Sequence, residues 1–466
     1  MTIKTGPSLV IDIFSKNRML ETVDLSNMNF CDNECSGKFD VLLIKLAENC
    51  PQLKKLVLTL NQWVTNEALT AVFKRCSQLR VLVLNSCLPM INESTFEALA
   101  ENCKQLHQLE IADCEFITAK VLSRVFQANP YLEIVYLSHT SATDDNLSSL
   151  GQNCKSLKSI ILSQNTEITQ VGYMKFFGNC VKLHSVDLRL TNIDDESLAH
   201  LGLNCRNLCE VKLYRCDSLS PVGLCNFFKN CPSLKSIDLT DCPSVNNECI
   251  VCLANYCPGI IEVLLHNCND LTSKGFQKFF RQCPQLETID MSFCKAVNDL
   301  ALICLSKNCL KLKVLIANAC RRLTSHGVKH ILMECTELQV LELCDIVLED
   351  YCFEPLINKR TSKIKELSLG SFRFSCFISP STLSSVLSCC PELEEISFTN
   401  IDDLSDEWIM WLAETFPRLK DVSLMRCSGL TNKSYEVLLN KCPEVDVDFV
   451  PVKQQIVFNT FRLHPS

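Results

Sequence analysis

Residues 231–257 read CPSLKSIDLTDCPSVNNECIVCLANYC and contain five cysteines in 27 positions. This density allows three interpretations: a disulfide framework, a metal site, or thiols that serve as packing. The frame C-x-x-L-x-x-I-x-L-x-x-C, which opens the stretch, recurs along the chain, for example in CPGIIEVLLHNC (257–268) and CPQLETIDMSFC (283–294). A cysteine pattern that recurs at a fixed interval indicates a repeated structural unit and favours packing.

The first cysteine of the frame marks an anchor that returns, in most cases, every 25 to 27 residues. Seventeen anchors run from Asn17 to Cys442, and thirteen of them are Cys. Seven anchors follow an Asn, which is suited to a left-handed helix end. Eleven residues before each anchor from Cys76 onward stands a residue type that caps helix N-termini. These residues are Thr65, Asn92, Thr118, Thr143, Thr169, Asp194, Ser220, Asn246, Thr272, Asn298, Thr324, Asp350, Ser379, Ser405 and Thr431.

The distance from cap to anchor is constant, whereas extra residues fall between an anchor and the next cap. Each unit is therefore predicted to be a short strand, a variable loop and a capped helix. The chain is expected to form a single α/β solenoid domain over 1–466, a ribonuclease-inhibitor-like horseshoe with parallel strands on its concave face and helices on its convex face. About seventeen repeats occupy 17–450, and 451–466 form a C-terminal tail.

The second cysteine of the frame lies three positions after the strand. In most units this position is occupied by Cys, Asn or Thr. All three are small and can donate a hydrogen bond, which predicts a ladder of buried donors. The anchor cysteine is interpreted as a small buried apolar residue. Cys249 and Cys252 have zinc-like spacing, but no second pair completes four ligands. A metal site is also conceivable at His326, His330 and Glu334, which share a helix face. The same face carries Lys and Gln in another unit, so a solvent-exposed face is preferred to a metal site. No cofactor or metal is predicted.

The overall charge of the chain limits which kinds of partner are expected. The net charge of −8 and a pI near 5.6 argue against binding nucleic acid or an acidic membrane. No signal-peptide pattern and no apolar run of membrane-spanning length is visible. Reduced thiols are expected in a reducing compartment, so the predicted location is the cytoplasm, with the nucleus as an alternative.

The fuller frame C-x-x-L-x-x-L-x-L-x-x-C-x-x-L-T-x-x-G-(L/F) is nearly complete in CPGIIEVLLHNCNDLTSKGF (257–276). It resembles the cysteine-containing leucine-rich repeat of the F-box/LRR family, and the resemblance covers about 17–450. It implies a solenoid that holds a protein substrate for a cullin-containing SCF-type ubiquitin ligase. The first sixteen residues show no F-box pattern, so a Skp-type adaptor and a cullin are expected only if an F-box is supplied elsewhere. The alternative is a non-ligase scaffold or regulatory protein.

No Gly-rich phosphate loop, nucleophile elbow or HExxH motif occurs, so the sequence predicts a binding protein and not an enzyme. A metal- or redox-active enzyme is the weaker third possibility. Solenoids bind partners along their strand face, and an apolar patch and a basic-aromatic cluster are predicted there. The competing explanation for Val, Ile and Tyr on this face is that these residues favour β-strands in general, whether or not a partner binds. The predicted partner-binding residues are Val83, Tyr136, Ile161, Asp187, Arg189, Lys212, Tyr214, Arg215, Asp238, His266 and Asp290.

Overall fold

The computed structural model describes residues 14, 17–26, 35–61, 63–87, 91–114, 117–373, 377–401, 403–442 and 445–450. The chain divides into two compact units, with the boundary between Asp238 and Leu239. The C-terminal tail predicted for 451–466 lies outside the described residues.

Unit 1 alternates short strands with helices that are mostly ten residues long. Its strands are β1 (Thr22–Asp24), β2 (Lys55–Val57), β3 (Val81–Val83), β4 (Gln108–Glu110), β5 (Ile134–Tyr136), β6 (Ser159–Ile161), β7 (Ser185–Asp187), β8 (Glu210–Lys212) and β9 (Ser236–Asp238). Its helices are α1 (Cys35–Asn49), α2 (Asn66–Arg75), α3 (Glu93–Asn102), α4 (Ala119–Ala128), α5 (Asp144–Asn153), α6 (Gln170–Asn179), α7 (Asp195–Asn204) and α8 (Pro221–Asn230).

Unit 2 continues the same alternation, and from β13 onward its strands are five residues long. Its strands are β10 (Glu262–Leu264), β11 (Thr288–Asp290), β12 (Val314–Ile316), β13 (Val340–Cys344), β14 (Glu366–Gly370), β15 (Glu395–Thr399), β16 (Asp421–Met425) and β17 (Asp446–Val450). Its helices are α9 (Asn247–Tyr256), α10 (Ser273–Gln282), α11 (Asp299–Asn308), α12 (Ser325–Glu334), α13 (Glu354–Lys359), α14 (Pro380–Ser388), α15 (Asp406–Thr415) and α16 (Asn432–Lys441), and the 3-10 turn Asp350–Phe353 precedes α13.

Within each unit every strand pairs in parallel with the strand of the next repeat, and equivalent residues lie opposite one another. Ile160, for example, pairs with Val186. The second residue of each strand from β1 to β16 and the residue two positions after it are buried, as at Leu56 and Leu58. The intervening position faces the other side of the sheet, because side chains alternate along a strand. The predicted α/β class and the inward direction of the L-x-L pairs are confirmed.

The predicted caps fix where the helices begin. Fourteen of the fifteen precede an α-helix directly, and most accept a hydrogen bond from the first turn. The carboxylate of Asp194, for example, accepts from the backbone N–H of Ser197 at 2.8 Å. Asp350 is the exception, because it is the first residue of the 3-10 turn and Glu349 occupies the preceding position. The prediction of a cap at Asp350 is therefore wrong by one residue.

A second regularity connects consecutive helix starts and was not predicted. Where the first helical residue is Asp or Asn, its side chain bonds to the cap of the next repeat. The carboxylate of Asp195 accepts from both the backbone N–H and the hydroxyl of Ser220. A Cβ at Gly223 would lie 1.9 Å from Oδ1 of Asp195. Gly172, Gly275 and Gly327 stand in the same relation to the repeat before them, so the glycine of L-T-x-x-G makes room for this inter-repeat clamp.

The cysteines form two ladders of thiols. The second cysteines donate to carbonyls of the preceding repeat, as in Cys216 Sγ to Leu188 O at 3.1 Å and Cys320 Sγ to Met291 O at 3.0 Å. This confirms the predicted donor ladder. The anchor thiols donate as well, as in Cys205 Sγ to the carbonyl of Cys180 at 3.4 Å. The interpretation of the anchors as purely apolar residues was therefore incomplete. The 29 cysteines whose side chains the structure describes are free thiols.

Candidate protein-interaction surface

The predicted partner-binding residues of unit 1 lie on consecutive strands of its sheet. Tyr136 is opposite Ile161, Ile161 is opposite Asp187, and Asp187 is opposite Lys212. Lys212 is in turn opposite Asp238. Parallel strands lie about 4.8 Å apart, so these side chains form one continuous row.

Exposure along this row differs from the prediction at three positions. Val83, Asp187 and Asp238 expose only 7%, 3% and 9% of their surface, so they do not point freely into solvent as expected. Side chains at equivalent positions of closely spaced strands cover one another, and at Asp187 the guanidinium of Arg189 adds to this cover. These three side chains therefore present little accessible surface to solvent.

The remaining residues of unit 1 retain accessible surface. Tyr136, Ile161, Lys212 and Tyr214 are half-buried, and Arg215 is exposed. Half-buried aromatic and aliphatic side chains supply contact area at a small cost in side-chain entropy. The surface that a partner can touch is therefore a mixed strip of apolar, aromatic and cationic groups.

Arg189 is fixed by an ion pair with Asp187. Its Nη2 lies 2.8 Å from Oδ2 of Asp187, and its Nε lies 3.0 Å from Oδ1 and 2.9 Å from Oδ2. The backbone N–H of Arg189 also donates to Oδ1 at 3.1 Å. Both side chains are largely buried, so loss of either partner leaves a charge without its counterion, which typically costs about 3–5 kcal/mol. The pair holds the Arg189 guanidinium rigidly at the edge of the strip.

Lys212 is held far more loosely than Arg189. Its Nζ lies 3.5 Å from Oε1 of Glu210, and both side chains are about 40% exposed. Oε2 of Glu210 also accepts a hydrogen bond from the Ser185 hydroxyl at 2.9 Å. Exposed ion pairs contribute about 0–1 kcal/mol, so Lys212 can exchange Glu210 for a carboxylate of a partner. Tyr214 and Arg215 follow Lys212 directly, and Arg215 occupies a left-handed turn position (φ 52°).

His266 and Asp290 belong to unit 2 and form a separate cluster there. His266 Nδ1 lies 3.7 Å from Asp290 Oδ2, and its ring centroid lies 4.9 Å from that of Phe293. Phe293 is 45% exposed and has a φ of 59°, a backbone region that bulky residues rarely adopt. Phe293 could not be predicted from the sequence, because equivalent turn positions carry residues as different as Ser, Gln and Arg.

The metal-like sequence patterns do not come together as a coordination site. No group of three or more His, Cys, Asp or Glu side chains within the described ranges is arranged to hold a metal ion. Cys249 is buried and Cys252 is half-buried. His326 and His330 contact each other edge to face, with ring centroids 5.2 Å apart. Every helix in the described part of the chain is too short or too polar to cross a membrane.

Short parallel strands, mostly ten-residue capped helices and a cysteine after about half of the strands define a cysteine-containing leucine-rich-repeat protein. No family model matches the chain. F-box/LRR-repeat protein 4 of Bos taurus is 25% identical over 218 residues, which cover 43% of this chain. The match covers 35% of that relative, so the chain spans about a third of its length. The similarity to F-box/LRR proteins predicted from the repeat is confirmed.

Solved structures resemble the chain at low sequence identity. The yeast complex of Rad7 and Elc1 contains a chain with a TM-score of 0.50 and 17% identity, and the match covers 95% of this chain and 88% of that one. An internalin of Listeria monocytogenes has a TM-score of 0.48 and 16% identity, covering 80% of this chain and 96% of the internalin. The similarity to the chain of the Rad7 and Elc1 complex concerns the fold alone.

Proposed function

We propose that the chain is a protein-binding solenoid that recruits a partner on the strand face of unit 1, as the substrate-recognition part of an SCF-type ubiquitin ligase. The observation that carries the proposal is the strip formed by Tyr136, Ile161, Lys212, Tyr214 and Arg215, which combines accessible aromatic, aliphatic and cationic groups on rigid strands. Residues of these types dominate binding energy at protein interfaces. The similarity to F-box/LRR-repeat protein 4 supports the ligase role.

The charges of the strip define the chemistry of the partner. The Asp187–Arg189 pair is internally neutral, whereas Lys212 and Arg215 lie at the accessible edge. A partner that places a carboxylate near these two cations, and an apolar side chain against Tyr214, would match the strip. The partner is therefore expected to be a folded protein or a peptide with a mixed acidic and apolar surface, and no catalytic step is required of this chain.

The site is tested with the double variant Lys212→Glu and Tyr214→Ala in the full chain. The proposal expects affinity-captured partners, identified by mass spectrometry, to fall by about tenfold or more, because a cation and an aromatic contact are removed together. The matched control is Lys175→Glu with Tyr131→Ala, which changes an exposed lysine of α6 and an exposed tyrosine away from the strip. Circular dichroism establishes that both variants are folded. Equal capture of partners by the two variants would show that the strip is not the binding site.

The same capture experiment separates the two roles. Recovery of a Skp-type adaptor and a cullin together with the partner supports a ligase receptor. Recovery of a partner that depends on Lys212 and Tyr214, without adaptor and cullin, supports the alternative of a non-ligase scaffold. Rad7, a protein of this fold, occurs in a complex with a second protein, Elc1, which is consistent with both roles.

A further inference from the structure

The last helix of the described chain, α16, exposes apolar side chains at two positions that are buried in other repeats. The positions are the fourth and the eighth residue after each helix cap. In α2, α10 and α15 these side chains are no more than 1% exposed, and they are Leu69, Phe73, Phe276, Phe280, Ile409 and Ala413. In α16 the same two positions hold Tyr435 and Leu439, which are 40% and 45% exposed.

The eighth position after the cap faces the helix of the following repeat. A Cβ at Gly202, which holds this position in α7, would lie 3.2 Å from side-chain atoms of Phe227 and Asn230 in α8. A Cβ at Gly151 in α5 would likewise lie 3.2 Å from the Cβ of Asn179 in α6. Each helix therefore buries this side against the next one. No described helix follows α16, so its side remains open in the described part of the chain.

The strand of the same repeat presents negative charge beside this open side. Asp446 and Asp448 of β17 are exposed, and β17 contains no Lys or Arg. Lys441 at the end of α16 is already paired with Glu414 of α15, with its Nζ 2.6 Å from Oε1. The end of unit 2 thus combines an apolar helix side with two accessible carboxylates.

The small size of the apolar side favours a tethered segment over a separate molecule. A stable interface between two proteins buries about 1,200–2,000 Å² in total. A fully buried aromatic side chain contributes about 150–250 Å², so Tyr435 and Leu439 supply only a minor part of such an interface. A segment of the same chain needs much less area, because its tether keeps it at a high effective concentration.

Residues 451–466 follow β17 directly and read PVKQQIVFNTFRLHPS. The segment contains six large apolar residues, the cations Lys453 and Arg462, and no Asp or Glu. An extended chain advances about 3.3 Å per residue, so the five residues before Ile456 span about 16 Å. This length exceeds the diameter of a helix, which is about 10–12 Å. Ile456 and Phe458 are therefore within reach of the open side of α16.

We propose that residues 451–466 dock on the open side of α16 as a C-terminal cap of unit 2. The apolar residues of the segment cover Tyr435 and Leu439, and its two cations lie near Asp446 and Asp448. The terminal repeat of a solenoid needs such a cover, because an internal repeat buries the same side against its neighbour. The cap does not involve the strip on unit 1, so either proposal can fail while the other stands.

The first test is hydrogen exchange of the α16 amides, measured by mass spectrometry on the full chain. We expect Ile456→Ser with Phe458→Ser to make this exchange about tenfold faster, because loss of the apolar cover makes local opening of the helix easier. The matched control is Gln454→Ser with Gln455→Ser, which changes neighbouring polar residues and should leave the exchange unchanged. Exchange in α2 should be the same in every variant, which shows that the rest of the fold is intact.

The second test detects the contact itself. Phe458 is replaced by the photo-reactive residue benzoylphenylalanine, and the full chain is illuminated and digested. We expect peptide mapping to find cross-links from position 458 to residues 432–441 of the same chain.

Three outcomes would overturn the proposal. One is an α16 exchange rate that is the same in the Ile456→Ser, Phe458→Ser chain as in the original chain. Another is cross-linking from position 458 only to parts of the chain other than α16, or no cross-linking at all. The third is cross-linking to α16 of a second copy, seen as a doubled mass whose yield rises with protein concentration.

Discussion

At the scale of single residues, small polar groups connect each repeat to its neighbour. Thiols donate to carbonyls, and Asp or Asn at helix starts bonds to the next cap. The seven Asn residues before anchors do not adopt the expected left-handed conformation. They are the last helical residues, and their side-chain amides donate to the carbonyl four residues earlier, as from Asn204 to His200 O at 2.8 Å. Sequence alone did not distinguish these two uses of Asn, because both occur at helix C-termini.

The clamp at Asp195 predicts an unusual outcome for Gly223→Ala. Alanine has the higher helix propensity by about 1 kcal/mol, so substitution of a helical glycine is normally stabilising. Here the new Cβ would overlap the Asp195 carboxylate, and we expect the free energy of unfolding in urea to fall by about 1–3 kcal/mol. Gly178→Ala is the control, since its Cβ meets only the end of the His200 side chain, at 3.3 Å; this variant should be neutral or slightly stabilised.

A double variant identifies the cause of the effect. If the overlap with Asp195 is responsible, Gly223→Ala combined with Asp195→Gly, which also removes the Asp195 Cβ 2.8 Å from the new Cβ, should be no less stable than Asp195→Gly alone, since the two changes act on one contact. Additive losses, or a Gly223→Ala protein that is more stable than the original, would refute the clamp.

At the scale of elements, the sequence predicted nearly every helix start and the parallel order of strands within each unit. Both depend on local signals, namely a capping side chain and a repeated L-x-L pair. The Asp350 repeat was misaligned by one residue, because a 3-10 turn shifts the frame while the residue types stay the same. In the candidate site the strand-face positions were predictable, but burial was not. Part of the cover over Asp187 comes from Arg189 of the same repeat, but the rest comes from neighbouring strands, which the sequence of one repeat does not contain.

At the scale of the whole molecule, a large set of neutral buried thiols links stability to pH. Burial raises the pKa of the Cys76, Cys103, Cys205 and Cys335 thiols to about 12. An unfolded thiol ionises near pH 8.5. Above that pH the unfolded chain has lost protons that the folded chain retains. The stabilisation is therefore complete below the unfolded pKa and is lost as the pH rises toward the folded pKa.

The measurement is the free energy of unfolding in urea at a series of pH values. Each buried thiol should lower the free energy of unfolding by about 1.4 kcal/mol for every pH unit above the pKa of the unfolded thiol. We expect a plateau near neutral pH and a steep fall of several kcal/mol once the pH exceeds about 9. A stability that stays constant into that alkaline range would show that the thiols are not buried in neutral form.

The most direct test of the account is a count of alkylated cysteines by intact-mass spectrometry without any reductant. The account predicts that iodoacetamide labels the half-buried Cys209, Cys252 and Cys344, located by peptide mapping, before the other cysteines described as free, and that at least 29 of the chain's 32 cysteines take up label after unfolding in guanidinium. Cysteines that stay unlabelled in the unfolded chain would reveal cross-links, and rapid labelling of Cys205 or Cys320 in the native chain would show that the ladders are open. Either result would contradict the central claim that reduced, buried thiols connect consecutive repeats.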